Sequence, residues 1–162
     1  MAFVTPGMRG TLVLAAALGA LASCGHTPLD CMERAMYFES NRSSRDGMVA
    51  VGSVVMNRVE SRKYPNSVCG VVRQRGQFAP GIMTKRMKDK TNVREAAQSV
   101  LRGERHPLIG DAQFFHTANR SYHYDNMNYV VTTGGNAFYE RRPAAYVTQP
   151  VPLPPIEGIT GR

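Results

Sequence analysis

The chain has 162 residues and a formal net charge of +8 at pH 7. This length is enough for one folded domain with one core and not comfortably for two. A basic chain attracts polyanions, but a surface kept soluble by its charge has the same composition, so charge alone decides little about function.

The amino terminus has the pattern of a bacterial lipoprotein signal. Arg9 precedes an uncharged run, Thr11–Leu21, which is mostly Leu, Ala and Val and is too short to span a bilayer. Small residues then lead into Cys24, as in sequences that a lipoprotein signal peptidase cleaves before a thiol that becomes lipidated. We predict a signal peptide over residues 1–23 and a short linker over residues 24–30. A buried amphipathic helix or an uncleaved anchor is the alternative.

Export decides which polyanions the protein meets. In the periplasm or cell envelope, held to a membrane by the lipid on Cys24, a basic protein encounters the carboxylates of wall peptides and the phosphates of lipid head groups rather than nucleic acid. Gly25 is not an aspartate retention signal, which favours an outer-membrane location.

Three cysteines are present. If Cys24 is lipidated, Cys31 and Cys69 remain as one pair, which can oxidise outside the cytoplasm. Closing that loop would stabilise the fold by roughly 3 to 4 kcal/mol in the chain-entropy account. Two buried free thiols are the alternative.

Periodic apolar residues predict two helices at the start of the domain. The first runs from about Leu29 to Ser40, and Glu39 shares its apolar stripe. The second follows Ser44, which can cap it, and continues to about Val59 with almost no polar face, so we expect it to be buried. Its β-branched residues also permit a strand, but about 15 residues is long for one strand, and we predict a helix.

An irregular loop rich in glycine and proline, residues 75–81, precedes a third predicted helix. This helix runs from about Asn92 to Arg102. Thr91 or Asn92 can cap its start, and Gly103 can close its end in a left-handed conformation.

Short extended segments are predicted after the third helix. They are Ala112–Thr117, Tyr129–Thr133 and, beyond a turn at Gly134–Gly135, Phe138–Tyr139. Residues 143–162 contain five of the ten prolines, which predicts an extended, disordered tail. The expected fold is therefore mainly α (α+β) with a few short extended segments, in a single domain over residues 31–142.

Glu39 is the candidate for acid–base chemistry. Its place on an apolar stripe beside Tyr37 and Phe38 puts the carboxyl where few waters reach, and desolvation raises the pKa of a carboxyl. A glutamic acid kept partly protonated near neutral pH can donate its proton to a glycosidic oxygen as that oxygen leaves. The alternative is a surface glutamate paired with a cation such as Arg42.

Several motifs occur in order along nearly all of residues 31–139. They are CMERAMYFE at 31–39, GMVAV at 47–51, VVMNRV at 54–59, YPNSVCGVV at 64–72, GQF at 76–78, FFH at 114–116 and GGNAFY at 134–139. This set resembles the SleB/CwlJ-type cell-wall hydrolases, and its length and order argue against a chance similarity.

The resemblance implies a lysozyme-like fold related to lytic transglycosylases, with residues 31–142 as the catalytic domain and Glu39 as the catalytic acid and base. It also supports the pairing of Cys31 with Cys69. The implied substrate is peptidoglycan, cut between N-acetylmuramic acid and N-acetylglucosamine. We expect the protein to be a monomer that needs no metal or cofactor. In the transglycosylase version, a hydroxyl of the same muramic sugar replaces water and yields an anhydro product, so one carboxylate can suffice.

The chain departs from the family pattern immediately after Glu39. Relatives usually continue with Ala-Arg-Gly-Glu, whereas this chain reads Ser-Asn-Arg-Ser at residues 40–43. The missing second glutamate leaves open how the end of the first helix is held. A distant acid, Asp111 or Asp125, could be brought near Glu39 by folding.

Polar and aromatic side chains are candidates for sugar contacts, because amides hydrogen-bond to sugars and ring faces stack on them. The predicted substrate-binding residues are Gln77, Phe78, Asn57, His116, Tyr122, Tyr124 and Tyr139, with His123 as a further candidate. Phe78 fits the core better than a ligand contact, and Asn57 fits a buried polar network equally well.

Two other functions stay open. His116 and His123, with Glu39 or Asp125, suggest a zinc-dependent N-acetylmuramoyl-L-alanine amidase, although these histidines lack the close helical spacing of known zinc motifs. The altered residues after Glu39 and the basic surface suggest instead a non-catalytic peptidoglycan-binding lipoprotein.

Overall fold

The computed structural model describes residues 25–40 and 44–161, so the predicted signal peptide and Cys24 lie outside the described residues. The helices are α1 Pro28–Glu39, α2 Arg45–Glu60, α3 Val68–Val72 and α4 Thr91–Leu101. The strands are β1 Phe114–Thr117, β2 Met127–Thr133 and β3 Asn136–Arg141, and a short 3-10 helix covers Ala144–Tyr146. The prediction of a mainly α fold with short extended segments is confirmed.

The first two helices form as their sequences predict. Thr27 caps α1 by accepting the N–H of Asp30, and Pro28 occupies the first turn, where its missing N–H costs nothing. Ser44 caps α2 by accepting the N–H of Gly47. The β-branched segment is therefore a helix, and its nearly all-apolar surface packs against α1, α4 and the sheet.

The start of α4 differs from the prediction. Thr91 is its first helical residue rather than its cap, and Lys90 before it makes no side-chain cap hydrogen bond. The N–H and the hydroxyl of Thr91 both donate to Oδ1 of Asp89, at 3.0 Å each. The prediction that Thr91 or Asn92 caps the helix is wrong because Asp89 already supplies the acceptor. Gly103, with φ of +113°, closes the other end as expected.

The strands form an antiparallel sheet in the order β1–β3–β2. Gly134 and Gly135 join β2 to β3 with φ of +56° and +78°, the two-residue hairpin turn in which both residues need positive φ. Gly47 on α2 packs directly against this turn, since a Cβ there would lie 2.5 Å from the Cα of Gly134. Helix and hairpin therefore approach at backbone distance.

The segment after β3 is extended, as its prolines require, but it is not the disordered tail that the composition predicts. Gln149 accepts the N–H of Tyr129 through its carbonyl at 2.9 Å, and Ile156 donates its N–H to the carbonyl of Thr132 at 2.9 Å. β2 is an edge strand, so one side of its backbone is left without a strand partner and can bond to this segment. The composition of residues 143–162 does not reveal that these partners exist.

Two carboxylates fasten the end of this segment to the domain. Asp46, in the first turn of α2, accepts the N–H groups of Ile159 and Thr160 at 2.7 and 2.6 Å. Glu157 accepts the N–H of Gly134 at 2.6 Å. These contacts join the carboxyl-terminal segment to α2 and to the β2–β3 turn.

A disulfide joins Cys31 in α1 to Cys69 in α3, with a Cα–Cα distance of 5.2 Å. The pairing that the family resemblance supported is therefore confirmed. The five-residue helix α3, which the sequence analysis did not predict, is capped by Ser67, whose hydroxyl accepts the N–H of Gly70. No helix in the described part of the chain is long and apolar enough to cross a membrane.

Candidate active site

Glu39 is the last residue of α1, which ends because Ser40 adopts an extended conformation with φ of −93° and ψ of 158°. The Ser40 hydroxyl donates to the carbonyl of Met36 at 2.7 Å and closes the last turn. Asn136 on β3 donates from its side-chain amide to the Glu39 carbonyl at 2.7 Å. The backbone that carries the carboxyl is thus held by both the helix and the sheet.

The Glu39 carboxyl is half-buried against the loop between α3 and α4. Its Oε1 accepts the N–H of Ala79 at 2.6 Å. Within residues 25–40 and 44–161, Oε2 has no hydrogen-bond partner. The two oxygens therefore differ: one is fixed by the backbone, and the other is available to carry a proton.

Burial raises the pKa of Glu39 above its usual value. The N–H of Ala79 and the positive charges of Arg58 and Lys85 act in the opposite direction, but burial outweighs them. The negative end of the α1 dipole lies at the same place and also favours the neutral carboxyl. Glu39 thus keeps its proton to a higher pH than a free glutamic acid, as a general acid requires.

Two acids that are more deeply buried than Glu39 are both engaged as hydrogen-bond acceptors. Glu33 is fully buried, and its two oxygens accept from Lys90 Nζ and Arg94 Nε at 2.7 Å each. Burial alone would raise the pKa of Asp46, but hydrogen bonds from Thr160 and the backbone outweigh it and hold that pKa below its usual value. Glu39 differs from these two acids, because its Oε2 has no hydrogen-bond partner among the described residues and its pKa is raised.

One cavity borders this carboxyl through Ala79, and a second cavity lies on the sheet. The loop cavity, of about 430 Å³, is formed by residues 72–76 and 78–84. The sheet cavity, of about 400 Å³, is lined by Lys63, Tyr64, Asp111, Gln113, Phe114, Glu140 and Arg141. Glu39 lines neither cavity, but its partner Ala79 lines the loop cavity. Phe78 lines the loop cavity and Tyr64 lines the sheet cavity. The guanidinium of Arg58 lies 5.3 Å from the ring centres of both.

Comparison with known proteins identifies the family. The family described as Cell Wall Hydrolase matches residues 42–139, more than half of the chain. The chain belongs to the cell-wall hydrolase family. The match begins just beyond Glu39, so it does not include the candidate acid.

Solved structures from Bacillus share the fold of this cell-wall hydrolase. The catalytic domain of the Bacillus cereus SleB protein matches with a TM-score of 0.61 and 23% identity, over 72% of this chain and 94% of its own. The catalytic domain of the germination-specific lytic transglycosylase SleB from Bacillus anthracis matches with a TM-score of 0.60 and 24% identity, over 72% and 98%. The resemblance found in the motifs is confirmed, and these structures establish the fold. No curated protein matches the chain significantly.

The sheet of this cell-wall hydrolase carries a row of aromatic rings on one face. Phe114 and Tyr129 flank Tyr139 across the strands, with ring centroids 5.5 and 5.6 Å from it. His116 lies two residues beyond Phe114 and therefore on the same face. Its ring contacts that of Tyr122, with centroids 4.7 Å apart.

The row ends at two accessible tyrosines. Tyr122 and Tyr124 are 40% and 66% exposed, and their rings stack with centroids 6.2 Å apart and an interplanar angle of 15°. Folding thus brings together four of the predicted sugar-binding residues, of which Tyr139 and His116 are half-buried. His123, between the two tyrosines, is exposed.

The other predicted contacts have different surroundings. Asn57 donates from its side-chain amide to the carbonyls of Gly110 and Ala112, at 2.8 and 2.9 Å. It therefore belongs to a polar network, which was the alternative to a sugar contact. Phe78 is only 9% exposed and belongs to the core, although it also lines the loop cavity. Gln77 is exposed beside that cavity.

The residues predicted for a zinc site do not fit a zinc ion. In its neutral form, His116 donates from Nδ1 to the Thr117 carbonyl at 2.9 Å, because a carbonyl can only accept, and Nε2 then accepts from the Tyr129 hydroxyl at 2.7 Å. Both ring nitrogens are therefore engaged. Among the described residues, no group of three His, Cys, Asp or Glu side chains is placed to hold a metal ion.

Several residues around Glu39 were not predicted from the sequence. These are Arg58, Ala79, Lys85 and Asn136. Arg58 carried a usable signal, since a charged residue in an otherwise apolar helix is seldom buried without a reason. Ala79 acts through its backbone N–H, which no side-chain pattern can reveal.

Proposed function

We propose that this chain cleaves peptidoglycan glycan strands between N-acetylmuramic acid and N-acetylglucosamine, with Glu39 as general acid and base. The observation that supports this most is the Glu39 carboxyl, which is half-buried, has a raised pKa and leaves Oε2 available to a ligand. Membership of the cell-wall hydrolase family agrees with this chemistry. The description of the Bacillus anthracis relative as a lytic transglycosylase favours the transglycosylase version.

In the first step, the proton on Oε2 of Glu39 passes to the glycosidic oxygen while the bond between that oxygen and C1 of the muramic sugar breaks. The Glu39 carboxylate that results still accepts the N–H of Ala79. In the second step, it takes the proton of the attacking hydroxyl as the oxygen of that hydroxyl bonds to C1. The hydroxyl belongs to water in hydrolysis and to the same muramic sugar in transglycosylation, and Glu39 regains its proton in both.

The aromatic row supplies a surface for the sugars. Tyr122 and Tyr124 present flat faces to solvent, and aromatic faces stack on the apolar faces of sugar rings. We place the glycan strand along this row, with Gln77 as a further contact at the loop cavity. Two acids line the sheet cavity, and Glu140 is paired with Arg142 at 2.7 Å, which leaves Asp111 to orient a water if the reaction is hydrolysis.

The location of the protein is part of the proposal. Cleavage before Cys24 and attachment of lipid to its thiol would hold the domain to a membrane of the cell envelope, within reach of peptidoglycan. Mass spectrometry of the protein purified from membranes should find a lipidated amino terminus at Cys24. Recovery of an unmodified, uncleaved amino terminus from the same membranes would contradict the anchor.

The catalytic proposal is tested by Glu39→Gln, which keeps the shape of the side chain and the acceptor for Ala79 but removes the acidic proton. We expect its rate of solubilising purified sacculi to fall roughly a thousandfold, while Glu95→Gln on the exposed surface of α4 retains the wild-type rate. Full activity of Glu39→Gln would show that Glu39 is not the acid. If neither the wild type nor Glu39→Gln digests sacculi but both co-sediment with them, the chain is a binding protein.

A further inference from the structure

Arg58 is a buried cation without an ionic partner in the described part of the chain. Its side chain lies on α2 and is 3% exposed. Nε donates to the carbonyl of Gln113 at 2.9 Å, whereas the buried Nη1 has no hydrogen-bond partner within residues 25–40 and 44–161. Burying a charge without pairing it costs free energy, so the retention of an arginine here calls for an explanation.

The surroundings of Arg58 relate it to Glu39. The guanidinium lies between the rings of Phe78 and Tyr64, one from the wall of each cavity. Ala79, which follows Phe78, holds Oε1 of Glu39 at 2.6 Å. Arg58 and the Glu39 carboxyl therefore border the same stretch of loop, residues 78–79, and the two groups interact electrostatically.

We propose that Arg58 is a positioning residue that acts through Glu39, with its fixed positive charge stabilising the carboxylate that forms when Glu39 gives its proton to the substrate. This rests on the proposed function of Glu39. Burial alone would make the carboxylate too costly to form, because a low-dielectric environment penalises the charged state. Arg58 offsets that cost, and since it is itself buried, its field at Glu39 is little screened by salt.

Other groups also face Glu39, and their electrostatic effects on its carboxyl must be distinguished from that of Arg58. Lys85, from the loop between α3 and α4, adds a second positive charge, but it is exposed and therefore screened by solvent and salt. The Ala79 N–H and the Asn136 amide, which bonds to the main chain, are neutral. Tyr64 and Tyr139 face Arg58, and burial raises the pKa of Tyr139, so that its ring stays neutral near pH 7.

The test compares the pH dependence of sacculus solubilisation, measured as initial rates at low wall concentration, for wild type, Arg58→Met, Arg58→Lys and Lys85→Met. Without the cation, the charged form of Glu39 is less stable, so Glu39 keeps its proton to a higher pH. In the pH–rate profile, the alkaline limb is where the rate falls as Glu39 loses its proton. We therefore expect this limb to move up by about one pH unit in Arg58→Met, and the maximum rate to fall roughly tenfold. Arg58→Lys, which keeps the charge, should leave the limb near its wild-type position.

Salt separates the two cations. The displacement of the alkaline limb in Arg58→Met should persist in 0.5 M NaCl. In Lys85→Met the displacement should be smaller at low salt and should disappear in 0.5 M NaCl. Arg62→Met, an exposed arginine on the same stretch of chain, is the matched control and should behave as wild type.

The inference and the proposed function fail in different ways. If Glu39→Gln is inactive but Arg58→Met keeps the wild-type plateau and limb, or loses rate without displacing the limb, Arg58 has no role in charge stabilisation. If Glu39→Gln is fully active, the proposed function itself is wrong. Should Arg58→Met not fold, as judged by its circular dichroism, Arg58→Lys carries the test: a limb displaced upward by about one unit despite the retained charge would overturn the inference.

Discussion

Replacing Asp46 with asparagine tests whether the carboxyl-terminal segment belongs to the folded domain. The Asp46 carboxylate accepts the N–H groups of Ile159 and Thr160 at 2.7 and 2.6 Å, and also the Thr160 hydroxyl. Asparagine is uncharged and offers one acceptor oxygen instead of two, so one hydrogen bond is lost and the others are weakened. Since hydrogen bonds to charged groups contribute about 1.5–3 kcal/mol each, we expect the free energy of unfolding to fall by about 2–3 kcal/mol.

Thermal unfolding followed by circular dichroism measures this effect. For a domain of this size, the expected loss corresponds to a Tm lowered by roughly 6–10 °C at pH 7. Thr160→Val, which removes only the hydroxyl contact, should lower the free energy of unfolding by about 1 kcal/mol.

The pH dependence of the difference gives a second check. The pKa of Asp46 in the folded protein lies below its usual value of 3.8, so its contribution is fully present above that pH and is lost as the pH falls through the lower, folded value. The difference in Tm should therefore be constant from pH 5 to 7 and shrink below about pH 4. A difference smaller than about 2 °C at pH 7 would mean that the carboxyl-terminal segment does not unfold with the domain, contrary to this prediction.

Three further predictions concern stability and binding. Reduction of the disulfide, which closes a loop with a sequence separation of 38, should lower the free energy of unfolding by about 4 kcal/mol, measured by urea denaturation with and without reductant. Gly47→Ala should lower it by about 2 kcal/mol or more, because the new Cβ would lie 2.5 Å from the backbone of Gly134; an unchanged denaturation midpoint would contradict this packing. Tyr124→Ala should weaken co-sedimentation with sacculi by roughly three- to tenfold, and Tyr146→Ala, an equally exposed tyrosine outside the aromatic row, should have no effect.

The elements with a sustained apolar repeat could be predicted from the sequence. α1 and α2 follow the expected boundaries closely, since several turns of periodic residues and a capping Thr or Ser determine them locally. The hairpin at Gly134–Gly135 was also predictable, because few residue pairs other than glycines adopt its backbone.

Features that depend on distant residues were not predictable in the same way. α3 has five residues, too few to display a helical period. The carboxyl-terminal segment owes its order to Asp46 and the edge of β2, which lie far away in the chain. The environment of Glu39 likewise depends on Ala79, Arg58 and Asn136, which only folding brings next to it.

Mass spectrometry of the fragments released from purified sacculi distinguishes the possible reactions, because each reaction leaves a different chemical end. The proposal predicts glycan fragments that end in muramic acid, with anhydro ends for transglycosylation or reducing ends for hydrolysis, and none above background with Glu39→Gln. Release of free stem peptides from intact glycan strands, undiminished in Glu39→Gln, would contradict it.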